Sequence, residues 1–324
     1  MRKYCLSVIQ LNRFQKNGFE IKNYFFKWVE QYLFHPNPFQ QLISIIFLPL
    51  TLFYCVVVAF KRVRARVIDF EIPVVSIGNL IIGGTGKTPV TIALAKKEKH
   101  PAIILRGYGR DSKGMLVVSN KGTIECDINQ SGDEAYLYAT SLPHATVIVD
   151  EDRVHGILKA KELGCDIVFL DDGYRFHNIK KYDIILRPKQ EPTNVFCLPS
   201  GGYKETKMMY SFVLCVLKDG EDFKRVITFT SNDKIVKLPD NVLLLTAISK
   251  PDRLLEYLPK NIVCKTFIDH YNFTKDDIDT ILTGYKDYTI ITTQKDYVKL
   301  EKFKIPNIII MNLEIEFTKE ISYT

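Results

Sequence analysis

The sequence predicts an α/β fold in which helices cover both faces of a mostly parallel sheet. Short apolar runs alternate with helical patterns between residues 73 and 186, as in β-α-β units. The first of these runs leads straight into a glycine-rich loop. Further apolar runs beyond about residue 210 predict a second, smaller α/β lobe, and the 324-residue length has room for both.

The composition is that of a globular protein, with 46% hydrophobic residues, 25% charged residues and a formal net charge of +7. The seven cysteines are scattered and contain no C-x-x-C pair. This pattern argues against a zinc site and against a disulfide framework, and it favours a reducing compartment.

The N-terminal residues 1–66 are predicted to be a membrane-associated segment. Residues 42–60, "LISIIFLPLTLFYCVVVAF", carry no charge and predict an apolar helix with a kink at Pro49. A basic cluster follows directly, and we expect it to face anionic lipids on the cytoplasmic side: Lys61, Arg62, Arg64 and Arg66. A buried core helix is the alternative, and spanning versus lying in one leaflet stays open. A cleaved signal peptide is not expected, because the apolar run starts late and lacks a cleavage site.

The two lobes are predicted to be residues 67–215 and residues 216–324, although no Pro/Gly/Ser-rich linker marks the boundary. In the first lobe the predicted strands are 73–80, 102–105, 145–150, 165–170 and 182–186, and the predicted helices are 89–99, 133–141 and 153–163. The later predicted strands are 209–217, 225–230, 241–248, 261–268, 288–293 and 307–313, with a helix near 274–283.

The glycine loop after the first strand approaches the phosphate-binding pattern G-x-x-x-x-G-K-[ST], with Ile81 at the position of the first glycine. Backbone N–H groups of residues 83–86 (Gly83, Gly84, Thr85 and Gly86) would contact phosphate oxygens. Lys87 would reach the β- and γ-phosphates, and Thr88 would ligate magnesium. An ordinary glycine turn with a solvated lysine is the alternative. The strand, loop and helix occur in the order of a P-loop NTPase-like fold, which predicts ATP and Mg²⁺ as ligands.

A second signal is the apolar run "CDIVFL", which leads into Asp171 and Asp172. Acids at the carboxyl end of a parallel strand are typical of a Walker B element, which holds the metal ion or its water. A simple Asp-Asp-Gly turn is the alternative for this motif alone. Together with Lys87 and Thr88, the two acids predict a magnesium nucleotide site.

These motifs, in this order, make the chain resemble the tetraacyldisaccharide 4'-kinase (lipid A 4'-kinase) family. The resemblance covers roughly residues 30 to 305 and includes "PVVSIGNLIIGGTGKTP", "LRGYGR", "GDEAYLYA", "DIVFLDDG", "LPSGGYKE", "AISKPDR", "FIDHYNFT" and "TTQKDYVKL". It implies transfer of the ATP γ-phosphate to the 4'-hydroxyl of a tetraacyldisaccharide 1-phosphate, forming lipid IVA in lipid A biosynthesis. It also implies the cytoplasmic face of a bacterial inner membrane, and it makes the missing first glycine of the loop unremarkable.

The same resemblance implies the roles of several residues. Asp133 in "GDEA" corresponds to the catalytic base and His270 in "DHY" to its partner, while Lys87 acts on the phosphates. Glu205 is a candidate magnesium ligand beside Asp171 and Asp172. The implied substrate contacts are Arg106, Arg153, Arg175, His177 and Lys204, the last three at positions where this chain departs from the family's residues.

The residues alone leave plainer alternatives open. Ser131 and Glu134 form the pattern of a capping box, so that Asp133 could be a first-turn helix acid. His270 could be a structural histidine, and Glu205 could be an exposed acid. The arginines of "LRGYGR" could be solvated.

Two other functions fit the phosphate motifs. A membrane-attached P-loop nucleotide switch would need a base-specific N-K-x-D element, which "TQKD" at 293–296 does not match. A kinase or ATPase with another substrate is the second, because phosphate-binding residues do not name the acceptor. No nucleic-acid partner is expected, since the basic residues cluster beside the apolar segment and no recognition motif is present.

Overall fold

The structure is a computed structural model that describes residues 25–248, 251–260, 262–269 and 271–323. His270, the predicted partner of Asp133, lies outside the described residues, as do residues 1–24 of the N-terminal segment. Three helices come first: α1 at residues 25–34, α2 at Pro38–Ile46 and α3 at Leu48–Arg64. Asn37 begins α2 with a capping box, and Pro49 lies in the first turn of α3.

The predicted apolar helix 42–60 is therefore two helices, with a bend of 56° between α2 and α3. The break falls at Phe47, just before Pro49, whose ring cannot continue an uninterrupted helix. Within the described ranges, no single helix is both long and apolar enough to cross a membrane, and only this bent pair together meets the length and composition.

The first lobe is an eight-stranded sheet with the strand order β4-β3-β5-β2-β6-β1-β7-β8. Its strands are β1 (Val74–Asn79), β2 (Pro101–Leu105), β3 (Leu116–Asn120), β4 (Thr123–Ile124), β5 (Thr146–Val149), β6 (Ile167–Asp171), β7 (Tyr182–Arg187) and β8 (Cys215–Lys218). All pairings from β5 to β8 are parallel, whereas β3 and β4 pair antiparallel at one edge. The central strands are buried along their whole length, which explains their continuous apolar runs.

Four helices follow strands of this sheet: α4 (Lys87–Ala95), α5 (Ile128–Ser131), α6 (Asp133–Ser141) and α7 (Arg153–Glu162). Two apolar cores lie on opposite faces of the sheet, one around Leu94, Tyr138 and Phe169 and the other around Ile104 and Ile157. The predicted cover of helices on both faces is thus present, and α4 and α6 lie where the glycine loop and the Asp133 motif begin them.

The second lobe has a six-stranded sheet with the order β10-β9-β14-β13-β11-β12. Its elements are β9 (Phe223–Ser231), β10 (Lys234–Ile235), β11 (Val242–Thr246), β12 (Val263–Thr266), α8 (Lys275–Gly284), β13 (Thr289–Thr293), α9 (Gln294–Leu300) and β14 (Ile309–Phe317). Three short 3-10 helices complete the described structure: Lys207–Ser211, Pro251–Tyr257 and Glu301–Phe303. The pairings among β11 to β14 are parallel, and β9 and β10 add antiparallel strands.

Two local expectations were wrong, and two strands were missed. Residues 209–217 are not one strand, because the 3-10 helix Lys207–Ser211 precedes β8. Met209 and Tyr210 of that helix pack against the same apolar cluster as Tyr54 and Cys55 of α3, so tertiary contacts outweigh the β propensity of the run. Ser131 does not cap α6, because Gly132 occupies the N-cap with φ 84 and the Ser131 hydroxyl donates to the Asp127 carbonyl. The antiparallel strands β3 and β4 were not expected from the sequence.

Candidate active site

The glycine loop follows β1 and ends at the N-terminus of α4. Gly83 and Gly86 have φ values of 95° and 91°, which favour glycine, and a Cβ on Gly86 would come within 2.9 Å of Arg225 Nη2. The buried side chain of Asn79, the last residue of β1, holds the loop by two hydrogen bonds. It donates to the Gly83 carbonyl at 3.2 Å and to Thr85 Oγ1 at 3.1 Å. The backbone therefore has the turn that a phosphate-binding loop requires.

Lys87 extends from the first turn of α4 toward the carboxyl end of β6. Its Nζ lies 3.7 Å from Asp172 Oδ1, and Lys204 Nζ lies 3.1 Å from the same oxygen. Burial opposes ionisation of Asp172, but these two ammonium groups outweigh it and lower its pKa. The loop lysine and one predicted metal-binding acid thus meet, as the sequence predicted.

Asp171 is the last residue of β6 and is only 6% exposed. Tyr138 from α6 donates to its Oδ2 at 3.0 Å, while Oδ1 is buried and has no hydrogen-bond partner among the described residues. Burial, reinforced by the nearby Glu134, raises the pKa of Asp171 to about 6. A buried carboxylate oxygen without a partner fits a ligand of a divalent cation or of its water.

This raised pKa predicts how stability depends on pH when no divalent cation is present. The pKa in the folded chain, about 6, exceeds the value of about 3.9 in an unfolded chain. The contribution of the Asp171 carboxyl group to stability is therefore fully present at pH values below its pKa in the unfolded chain. It is lost as the pH rises through its pKa in the folded chain. Asp171→Asn should raise the free energy of unfolding at pH 7.5 by about 1–3 kcal/mol, and the gain should shrink toward pH 5.

Urea denaturation at pH 7.5 and at pH 5, in buffer that contains a metal chelator, measures the free energy of unfolding. Asp172→Asn is the matched control, because its pKa is lowered and loss of its charge should reduce stability at pH 7.5. An Asp171→Asn protein no more stable than the wild type at pH 7.5 would contradict the expectation.

Asp133 begins α6 and is 7% exposed. Its Oδ1 accepts a hydrogen bond from the Glu134 N–H at 3.0 Å. Two lysines of α9 approach its Oδ2, Lys295 at 3.8 Å and Lys299 at 3.7 Å. The first-turn helix position favours the ionised carboxylate, and the second lobe adds positive charge to it.

A cavity of about 1860 Å³ opens above the glycine loop and extends between the two lobes. Its lining includes Gly83, Gly84, Thr85, Gly86, Lys87, Thr88, Asp171 and Asp172. The predicted substrate arginines Arg106, Arg153 and Arg175 line the same cavity. It therefore combines a phosphate loop, acids and several guanidinium groups in one space.

Arg153 is the most constrained of these arginines, at 4% exposure. It donates to the Asp150 carbonyl, and its guanidinium carbon lies 5.1 Å from the centre of the Phe176 ring. Burial lowers the pKa of Arg153, although the carboxylates of Asp171, Asp172 and Asp150 partly compensate. A fixed guanidinium facing the cavity suits an anionic ligand.

Glu205 and His177 lie apart from this cavity lining in the described structure. Glu205 pairs with Arg62 of α3 at 2.9 Å, and His177 Nε2 lies 3.8 Å from its other oxygen. Burial and the nearby cations Arg62 and Lys181 lower the pKa of His177 to about 4, so it is neutral at pH 7. The described residues contain no group of three or more His, Cys, Asp or Glu that could hold a metal. The structure therefore does not bring Glu205 together with Asp171 and Asp172, and its metal role stays a prediction.

The second lobe contributes two arginines that sequence reasoning did not select. Arg253 Nη1 donates to the Gly84 carbonyl at 2.7 Å, and Arg225 Nη2 donates to the Thr85 carbonyl at 3.4 Å. Arg253 could have been selected, because it belongs to the "AISKPDR" motif that carries the family resemblance. Arg225 lies in β9, outside the quoted motifs. Lys295, Lys299 and Tyr138 were missed too, although the two lysines have the i, i+4 spacing of one helix face.

Comparisons with known proteins identify the family to which the chain is similar. The family model described as tetraacyldisaccharide-1-P 4'-kinase matches residues 43–323. A tetraacyldisaccharide 4'-kinase from Aliarcobacter butzleri is 54% identical over 297 residues, covering 92% of this chain and 95% of that protein. One from Helicobacter acinonychis is 42% identical over 291 residues, covering 89% and 91%.

The fold is also found among solved structures. A crystal structure of LpxK from Aquifex aeolicus in complex with ATP superposes with a TM-score of 0.71 at 27% identity, covering 86% of this chain and 96% of that one. The α/β fold expected from the sequence is thereby confirmed. The chain belongs to the tetraacyldisaccharide-1-P 4'-kinase family.

Proposed function

We infer that the chain is an ATP-dependent kinase that phosphorylates the 4'-hydroxyl of a tetraacyldisaccharide 1-phosphate in lipid A biosynthesis. Membership of the family supports the kinase activity and the acceptor, and the ATP complex of the Aquifex relative supports the donor. The observation in the molecule that carries the inference is Lys87 Nζ at 3.7 Å from Asp172, beside a loop shaped for phosphates.

Each residue has a task in this transfer. Backbone N–H groups of the loop and the Lys87 ammonium bind the phosphates and neutralise charge that develops on the transferred group. Asp133, ionised and held at Oδ1 by a backbone N–H, accepts the proton of the attacking hydroxyl. Arg153 and Arg106 face the cavity, where they orient anionic groups of donor or acceptor.

The residues present fit a magnesium ion. Asp171 offers the buried Oδ1 that has no protein partner within the described ranges, and Thr88 and Asp172 line the same cavity. A magnesium ion held by Asp171, Asp172 and Thr88 would offset the negative charge of the bound phosphates. Burial raises the pKa of Asp171, and a dication held beside it would favour its ionised carboxylate.

The acceptor carries four acyl chains, and we propose that α2 and α3 place the site at the surface of the bacterial inner membrane, on its cytoplasmic side. The buried sides of these helices include three polar residues, Gln40, Ser44 and Thr51, which are at most 7% exposed, and also the apolar Val58. Thr51 donates to Ser200 Oγ at 2.7 Å, which ties α3 to the loop before Lys204 and Glu205.

The outward sides of the two helices are apolar. Large side chains there are 55% to 84% exposed: Phe39, Leu42, Ile45, Ile46, Leu50, Leu52, Phe53, Val56, Phe60 and Val63. A continuous apolar surface of this kind is unusual on a water-facing helix, and it fits burial in lipid. The charges of Lys61, Arg64 and Arg66 are exposed next to this surface and would attract anionic headgroups. Arg62 is the exception, since it pairs inward with Glu205.

Leu52→Ser should weaken binding to vesicles that contain anionic lipid by at least about tenfold, because a buried leucine contributes roughly 1.5–3 kcal/mol. Co-sedimentation with vesicles measures the partition coefficient. Leu158→Ser is the matched control, since Leu158 is 52% exposed on α7 in the first lobe, away from this surface. Equal binding of both variants would contradict the lipid contact of α3.

The test of the function is transfer of labelled γ-phosphate from ATP to purified tetraacyldisaccharide 1-phosphate in detergent micelles. The product should carry the label at the 4' position and should require both magnesium and acceptor. ATP binding without acceptor-dependent transfer would contradict the inferred activity.

A further inference from the structure

Two lysines of the second lobe lie against the carboxylate of Asp133. Lys295 and Lys299 are four residues apart on α9, so their side chains share one face of the helix. Both ammonium groups approach the same oxygen, Asp133 Oδ2, at 3.8 and 3.7 Å. The other oxygen, Oδ1, accepts the N–H of Glu134. Asp133 is thus held from its own helix on one side and from the second lobe on the other.

Lys299 is buried and anchored. Its side chain is 5% exposed, and its Nζ lies 3.4 Å from Asp296 Oδ1 and 5.8 Å from the centre of the Phe273 ring. Asp296 is fixed through its Oδ2, which accepts hydrogen bonds from the Thr246 hydroxyl at 2.6 Å, the Thr293 hydroxyl at 2.9 Å and the Ala247 N–H at 3.1 Å. The ammonium of Lys299 therefore has a defined position between two carboxylates.

Stability alone does not explain this arrangement. Burial of an ammonium group is costly, and apolar residues of similar volume commonly give equal or greater stability than a buried ion pair. Lys299 Nζ makes no hydrogen bond within the described part of the chain. Lys299 therefore acts on its neighbours through a positive charge that is held at a fixed point. That point lies 3.7 Å from the proposed general base.

Lys295 extends the arrangement to the cavity. It lines the space above the glycine loop and also lies 3.7 Å from Glu134 Oε1 and 3.7 Å from Asp269 Oδ1. Burial lowers the pKa of Lys295, but the carboxylates of Asp133, Glu134 and Asp269 outweigh burial and raise it. Lys295 is therefore cationic at pH 7.

We propose that Lys295 and Lys299 are positioning residues for Asp133, which keep its carboxylate ionised and oriented from the second lobe. The proposal rests on the proposed function, because it assigns Asp133 the task of proton acceptor. The two lysines reach Asp133 only when α9 packs on α6. The second lobe would therefore take part in the chemistry, in addition to lining the cavity.

The experiment compares Lys299→Met, Lys299→Arg and Lys295→Met with the wild type in the acceptor assay. Lys299→Met should lower kcat about 10- to 100-fold, less than the ~10²–10⁴-fold that a general base contributes, with the KM for ATP changed by about twofold or less. Lys299→Arg should recover most of kcat, because it restores the charge. Lys302→Met is the matched control, since Lys302 is exposed in the next turn of the chain and its ammonium lies over Phe303.

The pH dependence separates positioning from a merely structural role. The charged groups that face Asp133 in the described structure are Glu134 from α6 and Lys295 and Lys299 from α9, with Asp269 beside Lys295. Loss of either ammonium disfavours the carboxylate, so the acidic limb of the kcat profile should move to higher pH in both Met variants. It should stay near the wild-type position in Lys299→Arg.

The possible outcomes are distinct. A wild-type protein without acceptor-dependent transfer would reject the proposed function itself. If the wild type is active and both Met variants have the same kcat and the same acidic limb of the kcat–pH profile as Lys302→Met, the positioning role alone is overturned. If Lys299→Met does not fold, as judged by cooperative melting, Lys295→Met decides in the same way, because its side chain is 21% exposed and contacts the same oxygen.

Discussion

Lys87→Ala is expected to lower kcat by about 10²–10³-fold or more, the cost of removing one preorganised donor from a site where charge develops. Lys87 lies in the first turn of α4 and reaches Asp172 across the mouth of the cavity. No other lysine in the described ranges extends from the glycine loop itself. Lys204 shares Asp172 but comes from the loop after β7, so it cannot take the same place.

The measurement is steady-state transfer with saturating ATP and acceptor, together with ATP binding. Lys96→Ala is the matched control, because Lys96 ends the same helix and its exposed ammonium pairs with the exposed Glu314. We expect the fold to survive in Lys87→Ala, since Asp172 is half-exposed and keeps Lys204 as a partner. Wild-type kcat in Lys87→Ala would remove this residue from phosphoryl transfer.

Asp133→Asn is expected to reduce kcat by about 10²–10⁴-fold while ATP still binds, because an amide cannot accept the proton of the hydroxyl. The substitution also leaves the buried ammonium of Lys299 beside a neutral group, so a lower melting temperature is expected. Measuring kcat well below that melting temperature separates the two effects.

Asp276→Asn is the control for the plainer view of Asp133 as a helix acid. Asp276 occupies the first turn of α8, as Asp133 does in α6, but it is exposed. If Asp133→Asn and Asp276→Asn both retained wild-type kcat, Asp133 would act only on the stability of its helix. A loss confined to Asp133→Asn would support the proton-acceptor role.

The order of residues along the chain determined five parallel strands of the first sheet, the glycine loop and the two acids. Continuous apolar runs predict strands buried on both faces, and β1, β2, β5, β6 and β7 lie where those runs are. The glycine loop and the Asp-Asp pair could also be located, because parallel strands bring their carboxyl ends to one edge and Asp171 pairs in register with Ile77 of β1. Local sequence is sufficient for features that one strand and its following turn contain.

Only the tertiary structure decided what comes from elsewhere in the chain. Lys295 and Lys299 reach Asp133 from more than 150 residues away, and Arg253 reaches the Gly84 carbonyl from the other lobe. Arg62, which the sequence places in a basic cluster, turns inward to Glu205, while the residues around it face outward. Such contacts depend on how helices and lobes pack, a long-range outcome of burial and charge pairing that no local pattern encodes.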